Sequence, residues 1–181
     1  MTGYLVRSIF IELKKPKGGR TPPAATKSLL EIESFDRNVW EPACGDGAIS
    51  KVLERWGIFT TDCDLHDYGF GTTGVDFLLE QKKLADCIVT NPPYRHATEF
   101  IRHAIELGVK KHAWLLRLSF LEGMARHERL YKLFPPARVW VFSKRLTIWR
   151  GDEEKNGSGT TAYAWFVWER GKYNETTIGW I

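Results

Sequence analysis

Asn91-Pro92-Pro93-Tyr94 has the residue types and the order needed to hold a planar amino group. It follows an apolar run, Cys87-Ile88-Val89-Thr90, that reads as a buried strand ended by the prolines. Neither proline carries an N–H, and the residue before a proline is kept extended, so the Asn91 amide can face a ligand. The Asn91 side-chain oxygen and the Pro92 carbonyl then offer two acceptors for the two hydrogens of one amine. Tyr94 supplies a flat face for an aromatic ring. A strand stopped by prolines, with an incidental Asn and Tyr, is the competing reading of this motif alone. A second motif upstream weighs against it.

That motif is Glu41-Pro42-Ala43-Cys44-Gly45-Asp46-Gly47-Ala48-Ile49-Ser50, between Asn38-Val39-Trp40 and a helix-like run over 51–56. Strand, Gly-x-Gly turn and helix make the first unit of a Rossmann-like sheet, in which the missing side chains let a ligand approach the backbone. A dinucleotide fingerprint places a third glycine where Ser50 stands. With an acid at the strand end, Glu41, the turn suits a ligand carrying a cationic amine and a sulfonium better than a pyrophosphate. About 20 residues after the first glycine, such units place an acid for a ribose hydroxyl pair. Asp64 stands there, ending a second strand-like run over 58–65. A third acid lies in Gly74-Val75-Asp76-Phe77-Leu78, where Asp76 can accept from an adenine amino group and Phe77 can cover its ring.

These elements, in this order, resemble the S-adenosylmethionine-dependent amino-methyltransferases. They are most similar to the DNA adenine-N6 enzymes, especially the short forms of phages and prophages. The resemblance rests on Glu41 to Gly47, Asp64, 74–77 and 91–94, extends to Thr21-Pro22-Pro23, and covers roughly residues 20 to 120. Enzymes that methylate glutamine amides, guanine amines or cytosine amines also use Asn-Pro-Pro-Tyr; the acid-Pro-Ala-Cys-Gly opening favours adenine. The resemblance implies that Thr21 and Pro22 touch the methionine carboxylate of the cofactor. Glu41, Ala43, Cys44 and Gly45 would enclose its methionine end, Asp64 its ribose, and Asp76 with Phe77 its adenine. Asn91, beside the cofactor, would grip the target amine with Pro92 and Pro93, and Tyr94 would stack on the target base. Two acceptors that draw the N–H bonds out of the ring plane localise the amine lone pair toward the methyl donor, and no strong base is required. The implied fold is α/β, a Rossmann-like class I methyltransferase fold. Its sheet is expected to be mostly parallel and seven-stranded, with an antiparallel C-terminal strand and helices on both faces.

Composition is consistent with one domain spanning 1–181, long enough to bury about 70% of its unfolded surface. Cys44, Cys63 and Cys87 are odd in number, lack a C-x-x-C spacing and read as small buried hydrophobes in a reducing compartment. His96, His103, His112 and His127 offer no metal-site spacing. No signal-peptide pattern or long uncharged apolar window is visible, so a cytoplasmic location and no membrane are expected.

The net charge is +4, and its distribution says more than its size. Lys14, Lys15, Lys17 and Arg20 precede the Thr21 loop, Arg95 and His96 follow Tyr94, and Lys144, Arg145 and Arg150 cluster later around Trp149. Tyr94, Arg95, Lys144, Arg145, Trp149 and Arg150 are therefore the candidate contacts to DNA, with RNA as the alternative. A solvated hairpin, its charges offset by Asp152, Glu153 and Glu154, is the competing reading of the 144–159 segment.

Beyond Tyr94 the pattern predicts a helix over 97–107, a strand over 113–118, a helix over 124–134 stopped by Pro135-Pro136, and an antiparallel strand pair within 138–168. A Gly-rich loop over 151–159 separates the pair, and most of the eight Trp are expected in the core. This leaves no room for a separate recognition domain, so target choice is either lax or supplied by a protein partner. The alternatives to adenine in DNA are an RNA base, a protein glutamine amide, or a nucleic-acid-binding relic without turnover.

Overall fold

A computed structural model describes residues 19–150 and 161–181; the Lys14, Lys15 and Lys17 cluster and the 151–159 loop lie outside the described residues. The chain opens with a short strand β1 (Gly19–Arg20), then helix α1 (Pro23–Ile32). Pro22 caps α1 in an extended conformation and Pro23 takes the first helical position, where a missing N–H costs nothing. Strand β2 (Asn38–Glu41), helix α2 (Ser50–Arg55), β3 (Phe59–Asp64) and β4 (Thr72–Thr73) follow. Then come β5 (Cys87–Thr90), α3 (Ala97–Glu106), β6 (Lys111–Arg117) and a short helix α4 (Met124–Arg126). Strands β7 (Arg138–Val141), β8 (Trp149–Arg150), β9 (Tyr163–Glu169) and β10 (Thr177–Trp180) complete it.

Eight strands form one sheet in the order β10-β7-β9-β6-β5-β2-β3-β4. Every neighbouring pair is parallel except those of β9, which runs antiparallel to both β6 and β7. The chain thus lays β7 down beyond a gap and fills the gap afterwards with β9. Seven strands were expected and eight are found: Thr177–Trp180 adds a parallel strand outside β7. Its signal is weak because only Ile178 and Trp180 are apolar, and both are exposed. Gly179 permits the pairing, since a Cβ there would lie 2.2 Å from the Trp140 ring.

Alternate strand residues face opposite sides, which splits the core in two. Trp40, Ile88, Trp114, Leu116, Phe166 and Trp168 pack under α3 with Phe100, Ile101 and Ala104. Val39, Val89, Ala113, Leu115, Trp165 and Val167 pack under α1 and α2. Helices on both faces of a largely parallel sheet are as expected, and Trp40, Trp114, Trp165 and Trp168 are fully buried. Trp56 and Trp180 are instead exposed. The expected helix over 124–134 is found over Met124–Tyr131, α-helical in α4 and widened to π geometry over His127–Tyr131. Within that widened stretch only Leu130 is fully buried, so no continuous apolar stripe supports a regular helix. Among the described residues no helix is long and apolar enough to cross a membrane.

Candidate active site

Strand order reverses between β2 and β5: β3 and β4 extend one way, β6 and its neighbours the other. In open α/β sheets the crevice outside the strand ends at such a point receives the ligand. Glu41 ends β2, Asp64 ends β3 and Asn91 follows β5, so the two sequence motifs meet there.

On the β2–β3 side the glycine turn is fastened from below. Asp64 Oδ2 accepts the Gly45 N–H at 2.9 Å, and Oδ1 accepts the His66 N–H at 2.8 Å. Each carboxylate oxygen keeps a further lone pair for a ligand hydroxyl. A Cβ on Gly45 would meet nothing within 4 Å, so the turn is open to a ligand at that point. Gly47 has φ +76° and lies against the Phe70 ring, where a Cβ would come within 2.7 Å. From the outer side, Arg20 Nε pairs with Asp46 Oδ2 at 2.9 Å.

Glu41 is 1% exposed and lies beneath the turn rather than at its surface. Its Oε2 accepts the Ser50 N–H at 3.0 Å and also contacts the Ser50 hydroxyl, which lies 2.5 Å from Asp62 Oδ1. Burial pushes the Glu41 carboxyl well above the usual carboxylate range; the Ser50 bonds oppose this, and the Asp62 charge adds to it. Ser50 and Asp62 were not singled out in the sequence. Ser50 marks only the missing glycine there, and Asp62 shares an alternating strand face with Asp64. Ala43 is half-buried beside this network. Burial, with Glu41 next, pushes the Cys44 thiol up to about 12, which suits an inert packing role.

Asp76 caps a short turn by accepting the Leu78 N–H at 3.0 Å and is half-buried. Phe77 does not have the expected position. Its ring is 1% exposed and packs on Trp40 and Phe100 at centroid separations of 5.0 and 4.9 Å. The turn that Asp76 caps directs the next side chain into the core, so the Phe77 ring is closed to a ligand.

Thr21 and Pro22 cross from the glycine turn toward β5. Thr21 is buried, and its Oγ1 accepts from Asn91 Nδ2 at 3.1 Å. With Nδ2 committed to Thr21, Oδ1 is the acceptor edge of the Asn91 amide, and the Thr21 hydroxyl keeps its own hydrogen to donate. Pro92 is buried and Pro93 exposed. Tyr94 packs on Tyr163 at 6.1 Å between centroids, and the Arg117 guanidinium lies over its ring at 5.4 Å. Burial, and then Tyr163, raises the Tyr94 hydroxyl above its ordinary range.

Beside Tyr94 opens a cavity of about 190 Å³ lined by Tyr94, Ala97, Leu116, Arg117, Ser119, Phe120 and Arg126. Arg126 is a structural clasp: its guanidinium donates to the carbonyls of Phe120, Glu122 and Ser119. Arg95, Lys144 and Arg145 are exposed. The backbone of Trp149 and Arg150 pairs antiparallel with Arg20 and Gly19, which ties the basic segment to the strand before Thr21. The Trp149 and Arg150 side chains lie outside what is described.

No protein-family model matches the chain, and no curated protein sequence does. Solved structures do match. A protein assigned as the modification subunit of a type I restriction enzyme from Vibrio vulnificus YJ016 superposes with TM-score 0.56 at 15% identity, over 91% of this chain and 46% of that one. The present chain therefore spans less than half of that subunit. Magnesium protoporphyrin IX methyltransferase from Synechocystis PCC 6803, solved with bound SAM, gives 0.56 at 13% identity, over 82% and 79%. A SAM-dependent O-methyltransferase from Thermotoga maritima gives 0.52 at 15% identity, over 81% and 64%. At these identities the likeness is one of fold, and the fold is that of the Rossmann-like methyltransferases.

Proposed function

We propose that this chain transfers a methyl group from S-adenosylmethionine to the exocyclic N6 amine of adenine in DNA. The observation that carries the reading is the Asn91 amide. Its donor edge is held by Thr21, so its acceptor edge is set at the switch point beside an aromatic-walled cavity. The cofactor fits the residues present: an open glycine turn, Asp64 at its base, a half-buried Asp76 and the Thr21 hydroxyl. When bound, it supplies an electrophilic methyl group. The chain's own work is placement. Asn91 Oδ1 and the Pro92 carbonyl accept the two amine hydrogens, Tyr94 and Phe120 bound the ring's cavity, and Ala97 and Leu116 exclude water from it. In-line positioning of this kind contributes on the order of 7–11 kcal/mol. An engineered cavity of about 150 Å³ holds a benzene ring, so the space beside Tyr94 has the scale of one planar base. An adenine must leave its stack to enter, so unpaired adenines should react faster than paired ones.

Arg95, Lys144, Arg145, Trp149 and Arg150 are assigned to the nucleic-acid backbone, a role supported by their basic and aromatic character beside the strand that leads to Thr21. Incubation with labelled cofactor and duplex DNA, single-stranded DNA, RNA or protein extract, followed by digestion, tests the reading. N6-methyladenine from DNA is the expected product. Label on RNA, cytosine or protein glutamine overturns the adenine assignment, and absence of cofactor binding overturns methyl transfer altogether. Asn91→Ala should abolish transfer and leave cofactor affinity within a few-fold.

A further inference from the structure

Arg117 ends β6, the strand next to the one that delivers Asn91 and Tyr94. Its register partner across the antiparallel pair is Tyr163, and both residues contact Tyr94. The three therefore form one cluster, of which Tyr94 and Arg117 line the 190 Å³ cavity. Arg117 is exposed and has no carboxylate within ion-pair distance among the described residues, while Arg20, Lys83, Lys110, Lys111 and Arg138 all do. Arg126, the other guanidinium of the cavity, is taken up by backbone carbonyls. The cavity thus presents one guanidinium uncommitted to an acid, resting on the aromatic face where a base would stack.

We infer that Arg117 is a specificity residue that grips the phosphodiester of the target nucleotide when the base enters the cavity and takes its place against Tyr94. The inference rests on the nucleic-acid reading above and sharpens it, because it makes the substrate a base attached to a phosphodiester rather than a free base or an amide on a protein. A guanidinium presents a planar fork that matches phosphate oxygens, whereas an ammonium offers only a point charge. Cation–π contact with Tyr94 holds the side chain in place until the base displaces it. The same displacement delivers the charge to the nearest anion, the phosphate that accompanies the base.

The test uses the full chain and short single-stranded oligonucleotides, randomised in sequence around a single adenine. A matched set carries neutral methylphosphonate linkages on both sides of that adenine. The wild type should methylate the charged set roughly ten- to a hundredfold more efficiently than the neutral set, the range expected for a charge-assisted hydrogen bond. Arg117→Gln should lose about that factor on the charged set and nothing further on the neutral set. It should lower the salt slope of oligonucleotide binding by about one phosphate contact. Arg117→Lys should recover part of the loss. Cofactor affinity and thermal midpoint should stay at wild-type values, which separates the role from a structural one. Equal discrimination between the two sets by Arg117→Gln and wild type overturns the assignment and leaves adenine methylation standing. Wild-type protein that binds cofactor yet methylates no nucleic acid overturns both.

Discussion

Replacing Glu41 by Gln tests the proton count beneath the glycine turn. The Ser50 hydroxyl has one hydrogen, yet its oxygen is in hydrogen-bond contact with Glu41 and, at 2.5 Å, with Asp62. One of those contacts needs a second proton, and burial assigns it to Glu41. In the unfolded chain Glu41 ionises near its ordinary 4.5, so above that pH folding takes up a proton. The native state then binds more protons than the unfolded state. Stability falls as pH rises, by about 1.4 kcal/mol per pH unit, until the folded-state value is passed. His112 acts in the opposite sense: burial lowers it from 6.5 to about 3, so its contribution to stability is lost as pH falls below 6.5. Below pH 6.5 the two slopes oppose each other wherever both groups differ in protonation between the folded and unfolded states. Glu41→Gln keeps the size and removes the ionisation. Its stability relative to wild type should therefore climb as pH rises above 4.5, by about 1.4 kcal/mol per pH unit, and level off once the folded-state value is passed. An amide that serves the Ser50 N–H poorly adds a constant offset and no slope. Urea unfolding of both proteins across a pH series measures the difference. Parallel stability curves would refute a protonated Glu41.

Thr21→Val removes the acceptor for Asn91 Nδ2 at constant shape. A loss of about 1–3 kcal/mol in stability and a slower single-turnover rate are expected, and unchanged turnover would show that Thr21 does not orient Asn91. Asp64→Ala releases the Gly45 and His66 N–H groups and should weaken cofactor binding by about 1–3 kcal/mol in calorimetry. Undiminished affinity would remove that residue's role. Gly179→Ala drives a Cβ to 2.2 Å from the Trp140 ring and should lower stability by about 1–3 kcal/mol in denaturant titration. An unchanged midpoint would mean that Trp140 yields without cost.

The sheet's centre was legible because its strands carry strong apolar runs, and the turns at 41–50 and 91–94 because Gly and Pro punctuate them. The 97–107 helix was legible for a similar reason: Phe100, Ile101 and Ala104 recur at helical spacing and are buried. What escaped depends on contacts between distant parts of the chain. Asp62 faces Ser50 only after β3 pairs with β2, and Arg117 reaches Tyr94 only after β6 pairs with β5. Phe77 misled because a residue next to a candidate ligand acid has no pattern of its own to say which way the turn directs it. The eighth strand escaped because an exposed edge needs little hydrophobicity, so Thr177–Trp180 resembles a loop.

The late arrival of β9 bears on how the molecule comes to be folded. Lys111–Arg117 and Arg138–Val141 each present a bare edge until Tyr163–Glu169 slides between them. A chain emerging during synthesis therefore exposes two unpaired ribbons, one of them carrying Trp114, Leu115 and Leu116, throughout the interval before residue 169 is available. Long-range pairing of this kind is slow, and bare edges invite association with other chains. The candidate cleft shares that schedule, because Tyr163 backs Tyr94. A ligand that selects the finished cleft would accordingly draw the last strand into place and stabilise the whole sheet by mass action.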